Sequence, residues 1–206
     1  KLREMQDKNL RENPHKIPLI FMADVIHGYK TIFPIPLAMG CSFNPDTFEK
    51  AAEIAAKESS ASGIHLTFYP MADLVRDPRW GRVMESPGED PYLNSLMVAA
   101  AVRGFQGDNP KKPGRIAACV KHFAGYGAAE GGRDYNTVDI SSGIFREFYL
   151  PAYKAAIDAG VAMVMSSFNI IDRIPASANK ALFRDILRDE WGFKGVVISD
   201  FSAVDE

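Results

Sequence analysis

The chain has 206 residues, of which 47% are hydrophobic, so it is long enough to bury a core of ordinary size. Its 24 basic and 26 acidic residues nearly balance, which argues against a polybasic nucleic-acid surface and against an acidic disordered tail. No run reaches the roughly 18 to 20 apolar residues of a membrane span, and residues 1–11 are charged rather than signal-like. The sequence therefore predicts neither a nucleic-acid partner nor a membrane segment.

Five short apolar runs that end in polar residues recur along the chain. They are residues 17–24, 65–74, 115–123, 161–169 and 195–201. Their length and their lack of alternation are typical of strands buried on both faces. We therefore predict five buried strands.

Segments with helical spacing lie between these runs. The first has Asn44 as its cap and Pro45 at its first helical position, and the second opens near Asp90 and ends around Gly104 or Gly107. Pro151 interrupts the third, which predicts a kink or two shorter helices. A fourth predicted helix ends at Trp191 and Gly192. The residues predicted to face the core are, for the four helices in turn, Phe48, Ala52 and Ala55; Leu93, Leu96, Met97 and Ala100; Phe145, Phe148, Tyr149, Ala152 and Ala156; and Leu182, Phe183, Ile186 and Leu187.

Alternating strands and helices of this kind predict a parallel α/β sheet with right-handed crossovers. A doubly wound sheet normally carries a Gly-rich phosphate loop after its first strand, and none of these strands is followed by one. A (β/α)8 TIM barrel instead collects its chemistry at the C-terminal ends of several strands. We therefore predict a TIM-barrel-like fold, present as an incomplete fragment because only about five of its eight strands are visible.

Ionisable residues stand at three of the predicted strand ends. Asp24 ends the first run, Lys121 and His122 lie at the end of the third, and Asp200 lies at the end of the fifth. In a parallel barrel these ends meet at one mouth, which would bring two carboxylates, an ammonium and an imidazole together. This coincidence favours a functional site.

Each of these residues also has a structural explanation. Asp200 would cap a helix beginning at Ser202, Lys121 would pair with Asp134 or Glu130, and His122 would be a satisfied core histidine. For each residue considered alone, a structural role is favoured over a functional one. Because all of them lie at strand ends, a functional role is favoured for the group.

A loop rich in arginine follows the second predicted strand. It contains Arg76, Arg79 and Arg82 around Trp80, with Glu85 close behind. The segment fits a solvated turn, but an aromatic face beside bidentate donors also suits a sugar ring and its hydroxyls. We favour the functional interpretation.

The two cysteines, Cys41 and Cys119, lack metal-type spacing and are predicted to be buried apolar residues, with a disulfide between them left open. His65 is predicted to be structural. His27 lies close enough to Asp24 in sequence to support it.

Together these motifs resemble family 3 glycoside hydrolases, specifically the bacterial periplasmic β-glucosidase type. The matching stretches are residues 24–28, 77–82 with Glu85 and 88–90, 121–127, and 191–200. The resemblance covers nearly the whole chain, and the joint order and spacing of the motifs are highly specific.

The resemblance implies a role for each matching residue. Asp200 matches the nucleophile, while Asp24, Arg82, Lys121 and His122 match residues that hold the sugar in the first subsite; Lys30 matches a less uniform position there. Chemically, a carboxylate accepts from one hydroxyl while an ammonium donates to the next. Lys121 near Asp200 would also keep that carboxyl ionised.

The resemblance also implies what lies outside the chain. Residues 1–206 correspond to the N-terminal catalytic domain, without its first and last barrel strands and without a C-terminal α/β domain. Retaining hydrolysis needs a second carboxyl about 5 to 5.5 Å from the nucleophile. In the family it is typically a Glu of the C-terminal domain, so we do not assign it to Glu85, Glu89 or Glu130.

Two aromatic positions depart from the family pattern. Phe168 stands where Tyr is common, and Phe201 stands where Trp is common. Both are expected at the substrate, so the preferred sugar is open to xylose or another pyranose as well as glucose. Ala124 and Tyr126 disfavour the N-acetylglucosaminidase subfamily.

The expected function is a retaining β-glycosidase, β-glucosidase-like, acting on non-reducing terminal β-linked sugars without metal or organic cofactor. The expected partners are an oligosaccharide or β-glycoside substrate and the C-terminal domain of the same protein, in the periplasm or outside the cell. The isolated chain is expected to be nearly inactive. The alternatives are a β-xylosidase or other exo-glycosidase of the family, and an inactive carbohydrate-binding domain. A lyase or aldolase using Lys121 as a Schiff base is disfavoured because no Gly-rich phosphate-binding strand end is present.

Overall fold

The computed structural model describes residues 1–204 and has a central sheet of parallel strands. Its strands in chain order are Met22–Ala23 (β1), Leu66–Thr67 (β2), Ala117–Phe123 (β3), Met163–Ser166 (β4), Ile170–Ile171 (β5), Ile174–Pro175 (β6) and Val196–Ile198 (β7). The sheet order is β1-β2-β3-β4-β7, and β5 and β6 form a separate antiparallel pair. A strand lies within each of the five predicted runs and is shorter than the run. Burial is confirmed for β2, β3 and β4 but is wrong for β1 and β7, where Met22 is 38% and Val196 is 56% exposed, because these are the two outer strands of the sheet.

One helix precedes β1, and the others lie in the connections between the strands. They are Leu2–Glu12 (α1), Pro36–Gly40 (α2), Pro45–Ala61 (α3), Pro91–Gln106 (α4), Ser142–Ile144 (α5) and Pro151–Asp158 (α6), with π-helical segments Phe145–Tyr149 and Ala181–Glu190. Short 3₁₀ turns cover Val83–Glu85, Tyr126–Ala128, Glu130–Gly132 and Ala176–Ala178. The sequence patterns did not predict α1. Among residues 1–204, every helix is too short or too polar to pass through a bilayer.

The predicted start signals of α3 and α4 are confirmed by their hydrogen bonds. The Asn44 side chain accepts from the backbone N–H of Asp46 at 3.0 Å, and Asp90 accepts from that of Leu93 at 2.7 Å. These caps satisfy backbone donors that have no partner inside the helix. The predicted break at Pro151 is also confirmed, because a π-helical segment ends just before it and α6 begins there.

The inner face predicted for α4 is only partly right. Met97 and Ala100 are buried, but Leu96 is 38% exposed, and polar Asn94 is buried instead. Because α4 packs against both α3 and α6, its buried surface is wider than one apolar stripe and is turned away from Leu96.

Close packing of α4 on α3 depends on Gly104. A Cβ at this position would overlap the carbonyl oxygen of Glu49 on α3. Only a residue without a side chain allows the two backbones to approach this closely.

The two faces of the sheet differ. Ala118, Val120 and Val164 point into the large core that the helices complete, whereas Cys119 and Met163 belong to a small separate cluster on the other face. In the described residues the helices thus cover one face, as in a barrel wall, rather than both faces as in a doubly wound sheet.

The cysteines depart in part from expectation. Cys119 is buried as predicted, but Cys41 is exposed, and both are free thiols. The burial prediction for Cys41 is wrong because it caps the C-terminal end of the short helix α2 rather than lying in the core. The disulfide left open by the sequence is not formed.

Candidate active site

The carboxyl ends of the parallel strands bring the predicted polar residues together. Asp24 directly follows β1, Lys121 and His122 lie near the end of β3, and Asp200 lies just beyond β7. The strands pair in parallel register, for example Val120 with Val164 and Val164 with Val197. The sheet therefore places these four side chains at one edge, as the sequence predicted.

Lys121 is the most enclosed cation of this group. Its side chain is 4% exposed, and its ammonium lies 3.0 Å from Asp24 Oδ1 and 3.5 Å from Glu85 Oε2. The alternative pairing with Asp134 or Glu130 is wrong, because Asp134 instead accepts from the indole N–H of Trp80 at 3.0 Å. A buried ammonium is stable only when its charge is matched in this way.

The arginine-rich loop sends one of its arginines inward. Arg79 points to solvent and pairs with Asp77, whereas Arg82 is largely buried and donates two bonds to Glu85. The two contacts are 2.8 Å from Arg82 Nε to Oε1 and 3.1 Å from Nη2 to Oε2. This fork geometry is the strong form of an arginine–carboxylate pair.

Glu85 therefore joins the two cations of the site. Burial raises the pKa of its carboxyl, but the hydrogen bonds from Arg82 and the charges of Lys121 and Arg82 outweigh burial, so the net pKa is lowered. Glu85 is thus an ionised bridge between Arg82 and Lys121. The sequence placed it in the motif but offered no indication of this role.

His122 is held by a residue that the sequence analysis did not single out. Asp73 Oδ2 lies 2.8 Å from His122 Nδ1 and accepts from the His122 backbone N–H at 2.9 Å. Asp73 Oδ1 accepts from the Tyr153 hydroxyl at 2.7 Å. The available signal was that Asp73 is the one charged residue in the apolar run 65–74; Tyr153 carried none.

The other nitrogen of His122 faces Asp200. Nε2 lies 3.3 Å from Asp200 Oδ2 without the alignment of a hydrogen bond, and it is buried without a partner among residues 1–204. Burial lowers the pKa of His122, Asp73 opposes this, and Arg82 and Lys121 reinforce it. The imidazole beside Asp200 is therefore neutral near pH 7.

Asp200 also organises its own turn. Its Oδ1 accepts from the backbone N–H of Phe201 at 2.7 Å, and its carbonyl accepts from that of Ala203 at 3.1 Å. The described residues beyond it form a turn rather than the helix that Asp200 was considered to cap. Its second carboxylate oxygen is directed to His122.

Aromatic rings line the other side of His122. Its ring centroid lies 5.2 Å from that of Tyr126 and 6.5 Å from that of Phe168. Trp80 packs edge-on against Tyr126 at 5.2 Å. Phe201, by contrast, is 88% exposed and packs against none of these rings within the described residues.

Three further residues considered in the sequence analysis, Lys30, His27 and His65, lie outside these contacts. Lys30 is exposed, and its backbone N–H donates to Glu58 at 2.7 Å, with no ion pair for its ammonium among residues 1–204. His27 Nδ1 lies 3.1 Å from the carbonyl oxygen of Phe33, so it contacts its own loop and not Asp24. His65 is structural as predicted, since its Nδ1 accepts from the Phe21 N–H at 3.0 Å.

We call the joined residues the strand-end cluster: Asp24, Asp73, Arg82, Glu85, Lys121, His122 and Asp200. It presents carboxylates and fixed cationic donors at one open edge, beside aromatic faces. Such a set can accept and donate hydrogen bonds to neighbouring hydroxyls while one carboxylate stays available as a nucleophile. Within residues 1–204, no three His, Cys, Asp or Glu side chains are arranged to hold a metal ion.

Comparison with known sequences gives the same assignment along the whole chain. The family described as "Glycosyl hydrolase family 3 N terminal domain" matches residues 1–206. A periplasmic beta-glucosidase of Salmonella typhimurium is 46% identical over 205 residues, which are 100% of this chain and 27% of the relative. A xylan 1,4-beta-xylosidase of Xylanibacter ruminicola is 38% identical over 196 residues, covering 87% of this chain and 23% of the relative.

Solved structures show the same fold. The beta-glucosidase of Listeria innocua superposes with a TM-score of 0.97 at 58% identity, covering 100% of this chain and 29% of that one. The same enzyme has been crystallised with isofagomine, again with a TM-score of 0.97 and 58% identity. The chain thus spans under a third of the length of these relatives, and its parallel sheet and helices are TIM-barrel-like. The chain belongs to glycosyl hydrolase family 3 and matches the N-terminal domain of that family.

Proposed function

We propose that the full-length protein is a retaining β-glycosidase that removes non-reducing terminal β-linked sugars, with Asp200 as its nucleophile. The observation that carries this proposal is the strand-end cluster, where Asp200 lies beside neutral His122, and where Glu85 joins the cations Arg82 and Lys121 that act on the same imidazole. A carboxylate among hydroxyl-binding groups is what glycosyl transfer to an enzyme requires.

In the proposed reaction, an Asp200 oxygen attacks the anomeric carbon and the glycosidic bond breaks, which leaves a glycosyl ester. The leaving oxygen takes a proton from an acid outside this chain. Water, deprotonated by the same group, then releases the sugar. Asp24, Lys121, Arg82 and His122 hold the hydroxyls in this scheme.

The domain arrangement belongs to the same proposal. Residues 1–206 form part of an N-terminal catalytic barrel, and the remaining barrel strands lie elsewhere in the protein. A separate C-terminal α/β domain supplies the acid/base Glu. The match of this chain to only 29% of the Listeria enzyme supports a further domain. Because a relative is named as periplasmic, we place the protein in the periplasm or outside the cell.

The sugar specificity is proposed as glucose, with xylose as the second candidate. Relatives named as beta-glucosidase and as xylan 1,4-beta-xylosidase both match this chain. Phe168, beside His122 and Tyr126, and the exposed Phe201 are the proposed aromatic contacts, and Lys30 is the proposed peripheral one. A panel of nitrophenyl glycosides tested on the full-length protein separates the two candidates.

The nucleophile is tested by trapping the covalent intermediate. A 2-fluoro β-glycoside with a good leaving group reacts once, because fluorine destabilises the oxocarbenium-like transition state of both steps while the leaving group rescues the first. We expect one labelled peptide, carrying the sugar on Asp200. Label on any other carboxylate would contradict the assignment, and glycoside binding without label would support an inactive binding domain.

Arg82 and Arg79 offer a matched pair of variants in one loop. Arg82→Lys removes the two-bond fork to buried Glu85, so we expect kcat/KM to fall about 10- to 100-fold. Arg79→Lys removes a similar two-bond fork, to Asp77, but the Arg79 side chain is 72% exposed and contacts no member of the strand-end cluster within residues 1–204, so kcat/KM is expected to stay within about twofold. Steady-state kinetics on the full-length protein checks this, and equal losses in both variants would contradict the inward role of Arg82.

A further inference from the structure

Asp73 is a fully buried carboxylate that no step of the proposed reaction uses. Its residue exposure is 1%, yet three donors converge on it: the backbone N–H and Nδ1 of His122, and the hydroxyl of Tyr153. A buried charge is costly and persists only where its hydrogen bonds are complete. This site is therefore built around the position of His122.

The contact with Asp73 decides where His122 carries its proton. A neutral imidazole has one N–H. Because His122 Nδ1 lies 2.8 Å from a carboxylate oxygen of Asp73, which is an acceptor, the proton must be on Nδ1; a bare Nδ1 would place two acceptors against each other. Burial lowers the pKa of His122, so no second proton is bound near pH 7. Nε2 is then a bare acceptor.

The surroundings of Nε2 show what it can bind. It is buried, has no partner among residues 1–204, and lies 3.3 Å from Asp200 Oδ2, which is also an acceptor. Two acceptors cannot satisfy each other, so a donor must enter between or beside them. The charged groups near the ring are Asp73, Arg82, Glu85, Lys121 and Asp200, and the rings of Tyr126 and Phe168 pack against it.

We propose that Asp73, supported by Tyr153, is the positioning residue that fixes His122 in the Nδ1–H tautomer, so that Nε2 accepts a hydrogen bond from a pyranose hydroxyl beside the nucleophile. This inference rests on the proposed glycosidase function for its ligand. Tyr153 ties the unit together, because its hydroxyl reaches both Asp73 Oδ1 and, at 2.6 Å, the His122 carbonyl oxygen.

The arrangement makes the hydroxyl a specificity element. A sugar lacking that hydroxyl leaves Nε2 buried and unsatisfied, and such a mismatch is more costly than the loss of a solvent-exposed bond. If Asp73 is removed, the tautomer is no longer imposed and part of the His122 population presents an N–H to Asp200 instead. The discrimination against the deoxy sugar then falls.

The first test reads the tautomer directly, without turnover. Full-length protein labelled with ¹⁵N-histidine is examined by NMR, and the His122 signals are identified by their loss in His122→Gln. We expect a protonated Nδ1 and a bare Nε2 in the unmodified protein and a mixture of tautomers in Asp73→Ala. A proton on Nε2 of the unmodified protein, or an unchanged tautomer in Asp73→Ala, overturns the proposal.

The second test uses kinetics with milder variants, in case Asp73→Ala does not fold. Asp73→Asn keeps an acceptor toward His122 but removes the charge, and Tyr153→Phe removes one of the bonds that hold Asp73. We expect each to lower kcat/KM about 10-fold or more, the scale for residues that orient a binding group. Tyr149→Phe is the control, since its hydroxyl has no hydrogen bond among residues 1–204, and it should change kcat/KM less than about twofold.

A panel of monodeoxy glycosides separates positioning from general destabilisation. One deoxy substrate should be hydrolysed poorly by the unmodified enzyme and lose little more in Tyr153→Phe, because its missing hydroxyl already removes the contact. Equal further losses on every substrate overturn the proposal. Trapping on Asp200 with the 2-fluoro glycoside tests the glycosidase function separately, so failure of one result does not imply failure of the other.

Discussion

Replacing Asp200 with glycine is expected to lower kcat of the full-length protein by about 10⁴- to 10⁶-fold, the scale for loss of a nucleophile. Asp200 lies just beyond β7 with one carboxylate oxygen directed at His122, whereas the Asp73 carboxylate on the other side of that ring is 1% exposed and is occupied by His122 and Tyr153. Asp24 and Glu85 are paired with Lys121. We therefore expect that no other carboxylate of the strand-end cluster can replace Asp200 as the proposed nucleophile.

Azide distinguishes a missing nucleophile from a misfolded site. Azide can enter the space left by the Asp200 side chain and attack the anomeric carbon from the face that the carboxylate would attack, opposite the leaving group. The product is a glycosyl azide whose anomeric configuration is inverted relative to the substrate. We expect azide to restore turnover of an activated aryl glycoside by Asp200→Gly. A matched change at an exposed carboxylate, Asp172→Gly, should leave kcat within about twofold. Rescue that gives the retained product, or full activity in Asp200→Gly, would contradict the assignment.

The sequence predicted which polar residues come together at the strand ends, because parallel strands bring those ends to one edge of the sheet. Asp24, Lys121, His122 and Asp200 each lie at the carboxyl end of an apolar run that forms a strand, and a parallel sheet brings such ends to one edge. The motif residues also carried a family resemblance, which the family match over residues 1–206 confirms. These features depend on local pattern and on one topological rule.

The partners of these residues could not be predicted in the same way. Asp73 and His122 are 49 positions apart in the sequence. They meet only because the chain beyond β2 runs beside β3, where the backbones of Met71 and Lys121 pair in an isolated parallel β-bridge. Glu85 bridges Arg82 and Lys121 only after the loop folds inward. Hydrophobic periodicity and helix-cap patterns report only local structure, so they do not predict contacts between residues this far apart. For this reason the alternative partners considered for Lys121, Asp134 and Glu130, were wrong.

Two burial errors have the same origin. The pattern of α4 placed Leu96 inward because a single apolar stripe was assumed, but α4 is covered by both α3 and α6. Cys41 was predicted to be buried from residue type alone, whereas it caps the end of α2 at the surface. Burial of a particular side chain depends on tertiary neighbours that composition does not specify.

Replacing Lys121 with methionine is expected to impair both stability and activity. Methionine keeps much of the length and the apolar stem, but it removes the ammonium that lies 3.0 Å from Asp24 and 3.5 Å from Glu85. Glu85 is 15% exposed, so its carboxylate would stay buried beside another negative charge with Arg82 as its sole cation. Breaking one partner from a buried ion network costs about 3–5 kcal/mol.

The loss in catalysis should be of similar size, because Lys121 is also the proposed donor to a sugar hydroxyl. A fall of about 10³-fold in kcat/KM corresponds to about 4 kcal/mol. The thermal midpoint of the full-length protein should fall as well. The control is Lys154→Met on α6, where an exposed lysine pairs with Asp158 four residues on, and the expected cost is at most about 0.5 kcal/mol with unchanged activity.

A second substitution separates the two roles of Lys121. In Lys121→Met, the carboxylates of Asp24 and Glu85 both lose their contact with the Lys121 ammonium. Adding Asp24→Asn removes one of these two negative charges, so the thermal midpoint should recover in part while kcat/KM does not. The reason is that a neutral amide in place of the Asp24 carboxylate relieves the like-charge repulsion with Glu85 but does not restore the ammonium of Lys121, the proposed donor to a sugar hydroxyl. If kcat/KM recovers together with the thermal midpoint, Lys121 acts only through the stability of the cluster. If neither changes from the single variant, the Asp24–Lys121 contact at 3.0 Å carries little coupling, and the hydroxyl-binding role of Lys121 must be assigned on other grounds.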